Sequence, residues 1–184
     1  FMIKPMLAQK VNTKPIDWTN KVFVQPKLDG VRCIFTKDGA YSRNHKQFKN
    51  VDHLQDDLQD FFKKFPDIVL DGELYNHALK QDFEKIISLV RKQKPSEQDR
   101  SEASNLVQFH VYDVITEPNF TYEFRHNMLA LQLPIVKSIT LIKNTVVESY
   151  DEAKMLHAVH LAQGYEGSML RLNAFYEQKR SYNL

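Results

Sequence analysis

The chain has 184 residues, of which 42% are hydrophobic and 26% charged, and its formal net charge is +2. This length and composition fit one globular domain with a hydrophobic core, and they exclude a disordered or fibrous chain. The small net charge excludes a protein that attracts nucleic acid through a strong overall positive field, although a local basic face remains open.

A single cysteine, Cys33, excludes an intramolecular disulfide and is typical of a reducing compartment. The N-terminus has no signal-peptide pattern, and no apolar run is long enough to span a bilayer. We therefore expect an intracellular protein that acts away from membranes.

The first predicted elements form an antiparallel meander. Residues 21–43 alternate apolar and polar side chains and are interrupted by the turn dipeptides Asp29-Gly30 and Asp38-Gly39. Apolar residues at helical spacing then predict a helix over 51–65, which ends before Pro66.

The rest of the chain alternates between strand and helix patterns. In chain order these predict a strand over 67–75, an amphipathic helix over 81–92, an exposed mobile loop over 93–105, a buried strand over 106–115, helices over 121–133 and 151–163, and a strand over 166–172. The last helix ends at Gly164, which is a common helix end. The predicted fold class is α+β, with antiparallel β-sheets flanked by helices.

Four short stretches place charged or polar residues at strand ends or turns, where a sheet can direct them into one cleft. They are Lys27–Arg32, Ser42–Asn44, Asp71–Glu73 and Glu166–Arg171. Each stretch alone is equally typical of ordinary turn chemistry. Lys27 has apolar neighbours, and lysine is rarely buried without a partner, so it is either a surface residue or a lysine held in a cleft for a purpose.

Together these stretches resemble the nucleotidyltransferase motifs of ATP-dependent DNA ligases and mRNA capping enzymes. The resemblance lies in their order and spacing and covers nearly the whole chain. The matching segments are Lys27 to Arg32 for the nucleophile motif Lys-x-Asp-Gly-x-Arg, then Ser42-Arg43, Asp71 to Leu74, the strand around Tyr112-Asp113, and Glu166-Gly167. The resemblance implies the ATP-grasp-like nucleotidyltransferase fold of this superfamily.

The resemblance also implies that Lys27 attacks the α-phosphate of ATP and carries AMP covalently. A free lysine titrates near about 10.4, so the attacking amine needs nearby cations, a metal ion or desolvation to lower its pKa. Arg32 and Lys4 are the candidate cations. Asp29 and Glu166 are the candidates to hold Mg²⁺, through coordinated water.

Four residues are expected to contact the nucleotide besides Lys27 and Arg32. The resemblance assigns the ribose hydroxyls to Glu73 and a stacked adenine to Tyr112, while Met169 could cover the other face of the base or be plain core. Gln25 stands where many ligases have Glu, and either residue can contact adenine through its backbone or side-chain amide.

The match is closer to small viral and bacteriophage DNA ligases than to guanylyltransferases. It implies a monomer that acts in the cytoplasm of a host cell or in the nucleus. In that family Arg32 and Arg43 help to hold the 5′-phosphate of nicked double-stranded DNA, and phosphate contacts suit an enzyme that seals any sequence. The segment Pro5 to Gln9 resembles one that lines the nucleotide pocket. Arg125 matches a family arginine, although a surface helix position explains it equally well.

Three alternatives remain open: an RNA ligase, an mRNA guanylyltransferase, or a catalytically dead domain that binds nucleotides or nucleic acid. The family's Lys-x-Lys motif is not matched by Lys179-Arg180. We therefore expect residues 1–184 to be an adenylation domain that stops before this motif and lacks the C-terminal OB-fold domain, and we do not expect it to complete ligation alone. His157 and His160 lie one helical turn apart, but no cysteine or further histidine completes a zinc set.

Overall fold

The fold has two main β-sheets, and both carry residues of the predicted site. The computed structural model describes residues 3–184. Its strands are β1 Leu7–Ala8, β2 Val22–Lys27, β3 Val31–Thr36, β4 Gly39–Tyr41, β5 Val69–Tyr75, β6 Gln108–Ile115, β7 Ile139–Leu141, β8 Thr145–Val147, β9 Gly167–Leu172 and β10 Arg180–Ser181. Its helices are α1 Asp52–Asp57, α2 Gln59–Lys64, α3 Phe83–Val90, α4 Glu97–Leu106, α5 Tyr122–Gln132 and α6 Tyr150–Ala162, with a 3₁₀ helix at His77–Leu79.

The larger sheet has five strands in the order β4-β3-β5-β6-β7, and the smaller has three in the order β8-β2-β9. All their pairs are antiparallel except β6–β7, and the short β1 and β10 form a separate parallel pair. The predicted α+β class with mainly antiparallel sheets and flanking helices is confirmed, with parallel pairing added at the margins.

The predicted meander over 21–43 is only half right. β3 and β4 pair as a hairpin, but β2 lies in the smaller sheet, between β8 and β9. The turn at Asp29-Gly30 therefore carries the chain from one sheet to the other. A Cβ on Gly30 would lie 2.3 Å from the Leu74 carbonyl oxygen, so only glycine allows the turn to approach β5 this closely.

Each sheet has its own hydrophobic core. The larger sheet packs against α1 to α5 through fully buried side chains that include Phe35, Leu54, Leu58, Leu70, Val90 and Phe109. The smaller sheet packs Val22 and Val24 against Ala153 of α6. None of the helices within residues 3–184 is long and apolar enough to cross a membrane.

Two helical regions differ from the prediction. The helix predicted over 51–65 is divided at Leu58, whose φ of −96° and ψ of 1° depart from helical values. The stretch predicted as a mobile loop contains α4, which begins with a capping box between Ser96 and Asp99. The buried Asn50 side chain donates to the Asp99 carbonyl, and Ala103 and Leu106 pack in the core. This polar helix is therefore held by its cap, by Asn50 and by two apolar side chains.

Candidate active site

Lys27 is the last residue of β2 and lies at the mouth of a cleft. Its side chain is half exposed, and its Nζ lies 3.6 Å from Oε1 of Glu166. The Glu166 amide donates to the Lys27 carbonyl over 3.2 Å, and Lys27 pairs with Gly167 in the β2–β9 ladder. The amine is therefore partnered by a carboxylate and accessible to a ligand.

The cleft beside Lys27 has a volume of about 660 Å³ and is also lined by Arg43 and Met169. Residues of the N-terminal segment 7–17 and of the C-terminal segment 180–184 complete its walls. This volume lies in the range of pockets that hold cofactor-sized ligands. The predicted pocket segment Pro5 to Gln9 thus contributes Leu7, Ala8 and Gln9 to the wall.

The Arg32 side chain is more buried than that of Lys27, and it binds Asp71. Its Nε and Nη2 donate to the two carboxylate oxygens of Asp71, each over 2.7 Å, and Nη2 also donates to the Met6 carbonyl. The Tyr176 hydroxyl donates to Asp71 over 2.7 Å as well. Burial is the largest single influence and acts to lower the pKa of Arg32. The charge and hydrogen bonds of Asp71, together with Tyr112 and Tyr176, outweigh burial, and the net pKa is raised well above its ordinary value.

Glu73 follows on the same strand and is largely buried. It accepts hydrogen bonds from the Gly30 amide (3.1 Å) and the Tyr112 hydroxyl (3.2 Å). Burial raises the pKa of Glu73 to about 7, although Arg32 and both hydrogen bonds act in the opposite direction. Near neutral pH this carboxyl therefore exists in both protonation states.

The Tyr112 ring contacts two guanidinium groups. The guanidinium carbons of Arg32 and Arg171 each lie 5.2 Å from its ring centroid, which is the range of a cation–π contact. Burial raises the pKa of Tyr112 well above its ordinary value, so the hydroxyl stays a neutral donor to Glu73.

A buried polar network behind Tyr112 was not foreseen as a unit. Asp113 accepts from Arg125 and Arg171, and Arg171 donates to the Gln25 side chain over 2.8 Å. Gln25 in turn donates to the Tyr122 hydroxyl over 2.7 Å. Arg125 is 1% exposed, so its interpretation as a surface helix residue is wrong.

The two predicted metal ligands are both exposed. Asp29 lies in the turn after β2, and Glu166 lies beside Lys27. Within residues 3–184 no group of three or more His, Cys, Asp or Glu side chains is arranged to hold a metal ion. Two carboxylates still fit Mg²⁺, which commonly keeps several waters and completes its shell with substrate phosphates.

The histidine pair on α6 has another partner. Nδ1 of His157 and Nδ1 of His160 lie 3.2 and 2.6 Å from the Ser168 hydroxyl oxygen. Both rings therefore hydrogen-bond one serine, which accounts for their spacing.

The predicted site residues thus fall into two groups. Lys27, Arg43, Met169 and Glu166 lie in or beside the open cleft. The other members are joined to one another or to the buried network: Arg32, Glu73, Tyr112 and Gln25. Lys4 is exposed, and its amide donates to the Gln178 side chain. The support given by Tyr176 was missed, because a tyrosine near the chain end carries no local signal.

Known proteins resemble this chain over nearly its whole length. A family model described as "ATP dependent DNA ligase domain" matches residues 5–184. A DNA ligase of African swine fever virus is 30% identical over 192 residues, covering 96% of this chain and 43% of the relative. The DNA ligase of Enterobacteria phage T4 is 26% identical over 228 residues, covering 97% of this chain and 47% of the relative. The chain therefore spans less than half the length of these curated relatives.

Solved structures show the same fold. A Lig E DNA ligase superposes with a TM-score of 0.77 at 21% identity, covering 100% of this chain and 67% of that one. The ATP-dependent DNA ligase of bacteriophage T7, in complex with ATP, gives a TM-score of 0.72 at 16% identity, covering 97% of this chain and 66% of that one. The predicted nucleotidyltransferase fold is confirmed by this likeness.

Proposed function

Because the chain belongs to the family of ATP-dependent DNA ligase domains, we propose that it is an adenylation domain in which Lys27 is the nucleophile. The observation that carries the proposal is the position of the Lys27 amine, which is accessible at the mouth of a nucleotide-sized cleft and has Glu166 at 3.6 Å. A partly exposed amine can reach a bound phosphate, and it must lose its proton before it attacks the phosphorus.

The proposed first step is the attack of Lys27 Nζ on the α-phosphorus of ATP. A nitrogen–phosphorus bond forms, the bond from the α-phosphorus to the bridging oxygen breaks, pyrophosphate leaves, and the amine proton passes to solvent. AMP is then transferred to the 5′-phosphate of a nick in double-stranded DNA, and the 3′-hydroxyl displaces it. Bound Mg²⁺, held by Asp29 and Glu166 through water, would neutralise charge on the phosphates.

In this proposal the nucleoside is held by Glu73, Tyr112, Met169 and Gln25. Glu73 accepts hydrogen bonds from the ribose hydroxyls, because it is fixed by the Gly30 amide and the Tyr112 hydroxyl. Tyr112 offers its ring to adenine, with Met169 in the cleft wall for the other face. Gln25 is 1% exposed as a residue, and both ends of its side-chain amide are already hydrogen-bonded. We therefore propose that its contact with the base is made through the backbone.

The two motif arginines take different parts. Arg32 is committed to Asp71 and Met6, so we propose that it mainly adds positive charge and orders the residues that hold the nucleoside. Arg43 is exposed and lines the same cleft as Lys27, which makes it the cation for the 5′-phosphate of nicked DNA. Such a contact carries no base information.

Three further proposals concern the extent of the domain, a second domain and the oligomeric state. We propose that residues 1–184 act as one adenylation domain, that sealing also uses a C-terminal OB-fold domain, and that the protein works as a monomer inside the cell. The family match supports the first of these, since it extends over residues 5–184.

The test is covalent labelling followed by transfer. The protein is incubated with ATP labelled at the α-phosphate, denatured, and compared with Lys27→Ala and with labelled GTP. We expect labelling by ATP that Lys27→Ala abolishes, and passage of the label to nicked DNA in a chase. Preference for GTP would favour a guanylyltransferase, transfer to nicked RNA alone would favour an RNA ligase, and no covalent label would leave a binding domain.

A further inference from the structure

The loop that carries Glu166 is held from one side by the smaller sheet. Gly164, with φ of 89°, turns the chain after α6. The Tyr165 amide donates to the His160 carbonyl (3.0 Å), and the Glu166 amide donates to the Lys27 carbonyl (3.2 Å). The Glu166 side chain lies 3.6 Å from Lys27, beyond a direct hydrogen bond, so it does little to fix the loop itself.

His77 reaches the same loop from the larger sheet. It begins the 3₁₀ helix that follows β5, and its Nε2 lies 2.9 Å from the Gln163 carbonyl oxygen. Its Nδ1 lies 2.7 Å from the Tyr75 hydroxyl, and its ring stacks on Tyr165 with centroids 4.1 Å apart. One side chain therefore makes contacts on both sides of the junction.

These contacts do not depend on the charge of the ring. A carbonyl oxygen only accepts, so Nε2 of His77 carries the hydrogen that binds Gln163. The Tyr75 hydroxyl can donate to a neutral ring or accept from a protonated one. The link between β5 and the loop therefore persists in either protonation state.

We infer that His77 is a positioning residue that fixes Glu166 relative to Glu73. The inference rests on the proposed function, which gives those two residues their roles. It adds a third residue, His77, which lies outside the matched motifs. β5 carries Glu73, and the loop ends at Glu166, so His77 holds two functional carboxyls at a set separation. Displacement of a reacting group by about 1 Å can cost up to roughly a hundredfold in rate.

The first test replaces His77 with phenylalanine, which keeps a stacking ring and removes both hydrogen bonds. We expect the rate of Lys27 labelling to fall about tenfold or more, with the ATP concentration for half-maximal rate unchanged. The matched control is His53→Phe, because the His53 ring also lies against a backbone carbonyl, that of Val107 at 2.8 Å, but outside the cleft. The control should label at the wild-type rate, and an equal loss in both variants would overturn the inference.

A double-mutant cycle separates positioning from general destabilisation. If His77 acts through Glu166, adding His77→Phe to Glu166→Ala should change the labelling rate by less than about twofold. If the two losses multiply, His77 acts somewhere else and the inference is wrong.

Hydrogen exchange tests the inference without using activity. In His77→Phe the amides of Tyr165 and Glu166 should exchange faster, while amides in the middle of α6 stay as protected as in the wild type. Equal protection of the loop in both proteins would overturn the positioning role, whether or not Lys27 is labelled. Absence of label on the wild-type protein would instead contradict the proposed function.

Discussion

Arg32 lies directly opposite Glu73 in the β3–β5 ladder, yet its guanidinium binds Asp71, two residues away along β5. Glu73 is left with hydrogen bonds from two neutral donors, the Gly30 amide and the Tyr112 hydroxyl. The two carboxyls of β5 therefore differ. Asp71 is buried in an ion pair with Arg32, whereas burial raises the pKa of Glu73 to about 7.

Glu73→Gln should remove a pH dependence of stability. A carboxyl whose pKa is higher in the folded state costs stability once it ionises, so the wild-type free energy of unfolding should fall as pH rises from about 4.5 to 7. The loss is about 3 kcal/mol at most. Urea unfolding at about pH 5 and pH 8 measures it. Glu84→Gln, on the exposed side of α3, is the control and should keep the wild-type slope.

If Glu73→Gln loses stability between the two pH values as steeply as the wild type, the raised pKa belongs to another group. In that case the carboxyl would be ionised throughout and better paired than the geometry indicates.

Asp71→Asn should destabilise the fold strongly. Asp71 is fully buried and holds both Arg32 and the Tyr176 hydroxyl, so the substitution leaves a buried guanidinium without its counter-charge. We expect a loss of about 3–5 kcal/mol in the free energy of unfolding, measured with urea. Asp52→Asn is the control, because its ion pair with Arg100 is exposed and should be worth less than about 1 kcal/mol. Similar losses in both variants would show that the buried pair has no special weight.

Arg43→Ala should separate the two chemical steps. Arg43 is exposed and lines the cleft, so its removal should leave the free energy of unfolding and ATP labelling near wild type and slow transfer of AMP to nicked DNA. The slope of DNA affinity against salt should fall by about one unit. Arg91→Ala, at the end of α3, is the matched control. Loss of ATP labelling with normal DNA binding would move Arg43 from the DNA to the nucleotide.

The long periodic elements could be predicted from the sequence, since burial on one face imposes alternation or helical spacing. Strands of two or three residues, such as β1, β7 and β8, are too short to show a period. Helix α4 was missed because its composition is polar, although Ser96 and Asp99 have the spacing of a capping box. That local signal outweighs composition in the structure.

The site was predictable in its motifs and not in its partners. The motif Lys27–Arg32 and the motif at Glu166 are each short enough to be recognised locally. The structure brings Lys27 and Glu166 together beside one cleft. Asp71, the carboxyl that Arg32 binds, also accepts from the Tyr176 hydroxyl, 105 residues away in the chain. The contact of His77 with Gln163 spans 86 residues, and no local pattern encodes either pairing.

The most direct test of the central claim is the mass of the protein after incubation with ATP and Mg²⁺, followed by peptide mapping. We predict an increase equal to one AMP moiety, located on the peptide that contains Lys27, and no increase for Lys27→Ala. An adduct on another residue, or one that persists in Lys27→Ala, would contradict the account.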